Sequence, residues 1–140
     1  NVNCRDLDRS VAFYRDLGFT PTTQTAPDPQ DGSGFGIDGP AQWDAWMMSG
    51  SQAPPVIDLL EWKTPAPDGA PHAAPDALGM IALRITTPTV DTPTEVTDPD
   101  GTRLRLEPAE GTDLVGVVIN VADIESSTAW YAEMLGIEAI

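Results

Sequence analysis

Two short segments of the chain carry indole rings and a carboxylate, which are groups that can bind small ligands. Trp43 and Trp46 stand in one predicted strand, and Trp62 ends a second predicted strand, 56–62. Because side chains alternate along a strand, Asp58 and Trp62 share one face of the second strand. Tryptophans in strands usually pack in a core, but indoles on neighbouring strands also line pockets for flat or aromatic ligands. Both interpretations stay open for these rings.

Arg105 is a further candidate for binding. Its guanidinium presents a rigid fork of donors that suits a carboxylate, phosphate or enolate oxygen. The alternative is a surface arginine paired with Glu107 or with another of the 22 acidic residues. In that interpretation Arg103, Arg105 and Glu107 form a polar outward face, while Leu104 and Leu106 point inward.

The other reactive residue types give weaker signals. His72, the one histidine, stands in a loop rich in Pro and Ala and is predicted to be solvated. Cys4, the one cysteine, suits a small core residue and excludes an internal disulfide. The sequence has no glycine-rich phosphate loop, paired cysteine motif or nucleophile elbow.

Length and charge limit the kinds of partner. A chain of 140 residues suits about one domain with a real core. The formal net charge of −15 makes nucleic acid and anionic membrane surfaces poor partners. We find no signal peptide and no apolar stretch that could cross a bilayer, so a cytoplasmic location is expected.

An internal repeat indicates how the candidates are positioned. Segment 3–18 recurs as 120–136, each copy with Asn, Asp, Ser, an aromatic pair and Gly in the same order. In each copy a short strand precedes an Asp-initiated helix, and Gly ends the helix. The sequence therefore predicts two copies of a strand–helix unit.

The region between the copies is predicted to contain strands and loops. The expected strands cover 19–25, 42–48, 56–62, 80–85 and 102–107, and 26–40 is expected to be a long loop. Pro88 and Pro93 exclude a helix before Asp98. The sequence Asp-Pro-Asp-Gly at 98–101 predicts a turn that leads directly into the last of these strands.

The segments "DLDRSVAFYRDLGF" and "DPDGTRLRLEP", in this order, resemble the vicinal oxygen chelate superfamily. That group includes glyoxalase I, extradiol dioxygenases and bleomycin-resistance proteins. The resemblance implies an α+β fold in which paired βαβββ modules form a cupped, curved mixed β-sheet, with the second module abridged. It covers most of 1–108 and restarts near 114, so we expect a domain at 1–110 and the start of a further repeat, strand–helix–strand, at 111–140.

The abridged second half has two explanations. Either the second module has lost its helix, or segment 114–140 supplies a displaced strand–helix–strand that completes it in permuted order. The strand-like residues 137–140 suggest further sequence downstream.

The resemblance also implies where metal-using relatives place their ligands. The corresponding positions are Asp58, Met80, Arg105 and Gly116, and another falls ahead of Asn1, outside the chain. Of these residues only Asp58 is a competent ligand, because a thioether is a poor donor and a guanidinium repels a dication. A shift of register would bring Glu61 or Glu107 to the site instead.

The resulting prediction is a small-molecule-binding protein of the glyoxalase and bleomycin-resistance type. It is expected to sequester or transform a small organic compound without a tightly bound metal, and the resemblance implies a homodimer. The expected binding residues are Trp46, Asp58, Trp62, Met80 and Arg105. The alternative is a lyase or dioxygenase that uses Zn, Ni, Mn or Fe, with Asp58 as a ligand. A purely structural module is a third possibility.

Overall fold

The part of the chain that the structure describes contains two mixed β-sheets, a helix that contacts both sheets, and a second helix near the end. A computed structural model describes residues 1–52, 54–67 and 76–136. The strands are β1 (Val2–Asn3), β2 (Thr20–Thr25), β3 (Gln30–Asp31), β4 (Pro40–Ser49), β5 (Val56–Thr64), β6 (Gly79–Thr87), β7 (Thr94–Thr97), β8 (Arg103–Pro108) and β9 (Asp113–Asn120). The helices are α1 (Leu7–Asp16) and α2 (Ile124–Leu135), and a 3₁₀ turn covers Gly32–Phe35. Neither described helix has the length and apolar composition that a membrane span requires.

The first sheet has the strand order β1-β5-β4-β2. The short strand β1 is parallel to β5, whereas β5, β4 and β2 are antiparallel neighbours. With α1 between β1 and β2, this half is a βαβββ module. The predicted long loop at 26–40 is partly wrong, since it holds β3, which pairs with β4, and the 3₁₀ turn.

The second sheet has the order β7-β8-β6-β9. β6 is parallel to β8, as β1 is to β5, and β7 is antiparallel to β8. No helix lies between β6 and β7 in this described region, where the sequence carries Pro88 and Pro93. The predicted α+β fold with an abridged second module is therefore confirmed.

In the segment after β8, the strand joins the second sheet but the helix does not pack into the core. β9 joins the free edge of β6 as an antiparallel strand. α2 begins at Asp123, whose carboxylate accepts from the Ser126 N–H, and ends at Gly136 with φ +65°. No described residue of α2 is buried. Only the strand of this segment therefore completes the second sheet.

Two carboxylates define the start of α1. The Asp6 side chain accepts a hydrogen bond from the Arg9 N–H at 3.0 Å. Glu61 on β5 accepts from the Leu7 N–H, also at 3.0 Å. Both acceptors satisfy backbone donors that have no partner within the helix, and both place negative charge at its positive end.

The end of α1 is held by the second half of the fold. The Leu17 carbonyl accepts hydrogen bonds from the buried hydroxyls of Thr87 and Thr112, at 2.8 and 2.7 Å. Gly18 follows with φ +106°, and a Cβ at this position would overlap the Thr112 hydroxyl oxygen. Glycine is needed here both for the backbone angle and for the close approach.

The turn between β7 and β8 is anchored to the middle of α1. Asp98 accepts from the backbone N–H groups of Asp100 and Thr102, and its second oxygen accepts from the Tyr14 hydroxyl at 3.2 Å. The Ser10 hydroxyl donates to Asp100 at 3.3 Å. The two sequence motifs that carry the family resemblance thus contact each other inside the fold.

A single core joins α1 to both sheets. Its buried members are Val2, Cys4, Leu7, Tyr14, Leu17, Phe19, Met48, Ile57, Leu59, Leu83, Ile85, Leu104 and Leu106. Full burial of each large aliphatic side chain stabilises the fold by about 1.5–3 kcal/mol. The core occupies one face of each sheet, and the opposite face of the first sheet is available for a site.

Candidate functional site

The pairing of β4 with β5 sorts the candidate residues onto two faces. Trp43 is opposite Trp62, and Met47 is opposite Asp58. Paired residues of antiparallel strands lie on the same face, so Trp43, Asp58 and Trp62 share the face that does not pack on the core. The prediction that Asp58 and Trp62 share a face agrees with this register.

Three aromatic rings form a connected cluster on this face. Phe35, in the 3₁₀ turn, contacts Trp43 and Trp62 edge to face, with ring centroids 5.3 and 5.7 Å away. The two indoles are themselves 5.6 Å apart. These separations lie within the range of favourable aromatic pairs. We call Phe35, Trp43 and Trp62 the aromatic cluster.

The aromatic cluster forms one wall of a cavity of about 400 Å³. The cavity is lined by Asn1, Asn3, Phe35, Trp43, Asp58, Leu60 and Trp62. Its volume falls within the usual range for small-ligand sites, roughly 300–1,000 Å³. Apolar rings therefore combine here with two amides and one carboxylate.

The carboxylate of Asp58 is the unusual group in this cavity. Its Oδ1 atom is buried and has no hydrogen-bond partner in the part of the chain that the structure describes. A buried polar atom without a partner is costly and rare in folded proteins. Asp58 therefore lines the cavity with a carboxylate whose buried oxygen has no donor among the described residues.

Trp46 and Met80 do not join this group. Trp46 is opposite Leu59, so it lies on the other face of the first sheet, where it packs against the core. Met80 is the second residue of β6, is paired with Ile119 and is 53% exposed. Neither side chain lines the cavity.

Arg105 lies on the polar outer face of the second sheet. Its guanidinium pairs with Glu95 at 3.4 Å, and Arg103 binds the same carboxylate at 2.6 Å. Glu107, the partner suggested by the sequence, instead forms an ion pair with Arg84 at 2.7 Å. Leu104 and Leu106 are buried, so the strand has the orientation of the surface interpretation.

The donor set around Asp58 does not fit a metal ion. Within the described ranges, no three His, Cys, Asp or Glu side chains lie close enough together to hold one. Glu61 accepts from the start of α1 and from Lys63, and Glu107 is bound to Arg84. Hard and borderline dications need several oxygen or nitrogen ligands, whereas Asp58 is the one carboxylate among the described residues that line this cavity.

A larger cleft of about 900 Å³ lies where the two sheets meet. It is lined mostly by loop residues, among them Ser51, Gln52 and Glu110, and by Asp113 at the start of β9. Asp113 is engaged there, because its Oδ1 accepts from the Gln52 N–H at 2.7 Å. Among the described residues, the buried side-chain atom without a hydrogen-bond partner belongs to Asp58 at the smaller cavity, so we favour that cavity as the site.

The remaining candidates have structural roles or lie elsewhere. Cys4 is buried in the core, and its burial raises the pKa of the thiol to about 11, which opposes a nucleophilic role. His72 lies outside the described residues.

Sequence reasoning raised Trp43 as a possible pocket residue but did not include it among the expected binding residues, and it did not propose Asn1, Asn3, Phe35 or Leu60. Trp43 and Leu60 could have been added from the alternation of β4 and β5, given the register. Phe35 comes from a Pro- and Gly-rich segment that carries no periodic signal.

The comparison with protein families agrees with this fold. The family model "Glyoxalase/Bleomycin resistance protein/Dioxygenase superfamily" matches residues 1–98, from β1 to the start of the Asp-Pro-Asp-Gly turn. The chain belongs to this superfamily. No curated protein and no solved structure matched the chain.

Proposed function

We propose that this protein binds a small organic compound in the cavity beside the aromatic cluster, without a tightly bound metal. The observation that carries the proposal is a cavity lined by three rings and by Asp58, a carboxylate whose buried Oδ1 has no partner among the described residues. Rings supply apolar contact area, and a few polar groups fix the orientation of a ligand. The family provides the context, but fold alone does not determine function.

The proposal covers both sequestration and metal-free conversion of the ligand. Asp58 is the one carboxylate among the cavity-lining residues and could accept a proton from a bound compound. Asn1 and Asn3 offer amide groups that can donate to or accept from a ligand. A conversion would therefore depend on Asp58, whereas sequestration would depend mainly on the rings.

The first test is an NMR titration that follows the indole N–H signals with two neutral aromatic probes, indole-3-carbinol and p-cresol. We expect saturable shifts of the Trp43 and Trp62 signals, because both rings line the cavity. Trp130 on α2 is the matched internal control, and its signal should stay unchanged. Equal shifts of all the tryptophan signals would indicate non-specific association and contradict the proposal.

A second test addresses the metal-dependent alternative. Thermal unfolding with Zn, Ni, Mn and Fe(II) should give no stabilisation that depends on Asp58, because this carboxylate lacks further ligands. Metal bound at one ion per chain, with stabilisation abolished by Asp58→Ala, would favour the lyase or dioxygenase alternative.

Homodimerisation, a cytoplasmic location and the absence of a nucleic-acid partner stay predictions. The first follows from the resemblance alone, and sedimentation of the purified protein would test it. The other two follow from sequence features, including the net charge of −15.

A further inference from the structure

The cavity combines two features that attract the same kind of ligand. Aromatic rings carry electron-rich faces, three such rings line the cavity, and Asp58 adds a negative charge to the same lining. A cation within about 6 Å of a ring centroid is attracted by the ring quadrupole, most strongly by tryptophan. Two of the three rings are tryptophans.

In the described part of the chain, four of the seven basic side chains form ion pairs away from Asp58. Lys63 lies on the opposite face of β5 from Asp58, where it pairs with Glu61 at 2.6 Å and Asp44 at 3.4 Å. The recorded ion pairs of the arginines on β6 and β8 go to glutamates of the second sheet. Asp58 takes part in none of these pairs, so its charge is available to a ligand.

We infer that the ligand is a small organic cation, an ammonium group carried on an apolar body, held between Asp58 and the aromatic cluster. This inference rests on the proposed function and specifies its ligand class. An anionic ligand would face repulsion from Asp58, and a neutral apolar ligand would leave the charge of this carboxylate uncompensated. An inorganic dication would find one carboxylate and rings in place of an oxygen cage.

The experiment compares two probes of the same shape and different charge. Choline carries a quaternary ammonium, and 3,3-dimethylbutan-1-ol replaces its nitrogen with carbon. We expect choline to bind at least about tenfold more tightly, measured by the indole signals of Trp43 and Trp62, because only choline gains the ion pair and the cation–π contacts. Its affinity should fall as NaCl is raised.

Variants of two aspartates assign the effect to the site. Asp58→Asn keeps the shape of the side chain and removes its charge, so the preference for choline should fall toward equality. Asp44→Asn is the matched control, because Asp44 lies on the neighbouring strand, on the opposite face, and should leave the preference unchanged. Circular dichroism of each variant checks that it is folded.

The outcomes separate this inference from the proposed function. Equal binding of the two probes, or an unchanged preference in Asp58→Asn, would overturn the cation inference. If the neutral aromatic probes still shifted the Trp43 and Trp62 signals, the proposed function would stand without it. If no probe shifted those signals, both proposals would be overturned.

Discussion

At the scale of single residues, the aromatic pair of the first repeat serves the fold rather than the site. Tyr14 is fully buried, and its hydroxyl donates to Asp98, which in turn orders the turn before β8. Burial, reinforced by the nearby Asp98 charge, raises the pKa of the Tyr14 phenol, so the group stays a neutral donor. Asp58 at the cavity, by contrast, has a buried oxygen that receives no donor from the described residues.

Replacing Tyr14 by phenylalanine should destabilise the protein although the ring remains. The buried Asp98 carboxylate would lose a donor, which costs about 1–3 kcal/mol. The loss would be measured as a change in the free energy of unfolding in urea. Tyr131→Phe, the equivalent change on α2, is the control and should stay within about 0.5 kcal/mol. Equal losses in the two variants would contradict the assigned role of the Tyr14–Asp98 bond.

The thiol of Cys4 should make stability depend on alkaline pH. Burial raises the pKa of this thiol from 9.0 to about 11, so the folded protein keeps a proton that the unfolded chain releases. Its stabilising contribution is complete below pH 9 and is lost as the pH rises towards 11. The loss is of order 2–3 kcal/mol, from about 1.36 kcal/mol per pKa unit.

The measurement is the free energy of unfolding of the wild type and of Cys4→Ala at a series of pH values from 8 to 11. We expect the alanine variant to lose less stability over this range. Tyr14 acts in the same direction at higher pH in both proteins, so the difference between their slopes isolates the thiol. Parallel slopes would show that Cys4 does not carry the effect.

At the scale of elements, the repeat predicted local structure well and packing poorly. Asp6 and Asp123 cap their helices in the same way, each accepting from the N–H three residues later. Local capping depends on neighbouring residues, so it is readable from the sequence. Burial depends on which distant strands contact the helix, and the two copies differ in this respect.

Equivalent positions in the two helices should therefore respond differently to truncation. Leu7 and Ile124 both follow the capping aspartate, but Leu7 is 5% exposed and Ile124 is 69% exposed. We expect Leu7→Ala to reduce the free energy of unfolding by about 2–5 kcal/mol. Ile124→Ala should change it by no more than about 0.5 kcal/mol. Urea unfolding measures both, and a large loss in Ile124→Ala would mean that α2 is packed in solution.

The separation of Trp46 from the site also has an element-scale cause. Trp43 and Trp46 are three residues apart on one regular strand, so they face opposite ways. The alternation alone could have excluded one of them, but only the register with β5 shows which one joins Trp62. Phe35 could not be predicted, because tertiary contacts rather than periodicity bring the 3₁₀ turn to the cavity.

At the scale of the whole molecule, the α+β class was predictable, whereas the short strands β3 and β7 were not predicted and the location of the site was predicted only in part. The two motifs that indicate the family contact each other across the core, so their sequence order reflects a packing requirement. The candidate binding residues divided between the two sheets, with Asp58 and Trp62 at the cavity. Met80 and Arg105 lie on the second sheet. Their separation from Asp58 and Trp62 depends on the tertiary arrangement of the two sheets, which residue spacing does not reveal.

The net charge of −15 leads to a prediction about salt. Uncompensated negative charge repels itself most in the compact state, and raising the ionic strength from about 0.01 M to 0.1 M shortens the Debye length from about 30 to 10 Å. Salt also weakens surface ion pairs such as Arg103 with Glu95, but such pairs contribute only about 0–1 kcal/mol each. We therefore expect relief of repulsion to dominate, so that the urea midpoint rises with NaCl.

The control is a triple variant that combines Asp28→Asn, Asp38→Asn and Asp91→Asn. It removes three exposed charges, so the net charge changes from −15 to −12. At low salt the urea midpoint of this variant should be higher than that of the wild type, and it should rise less as NaCl is added. A midpoint that fell with NaCl in both proteins would show that ion pairs outweigh net charge.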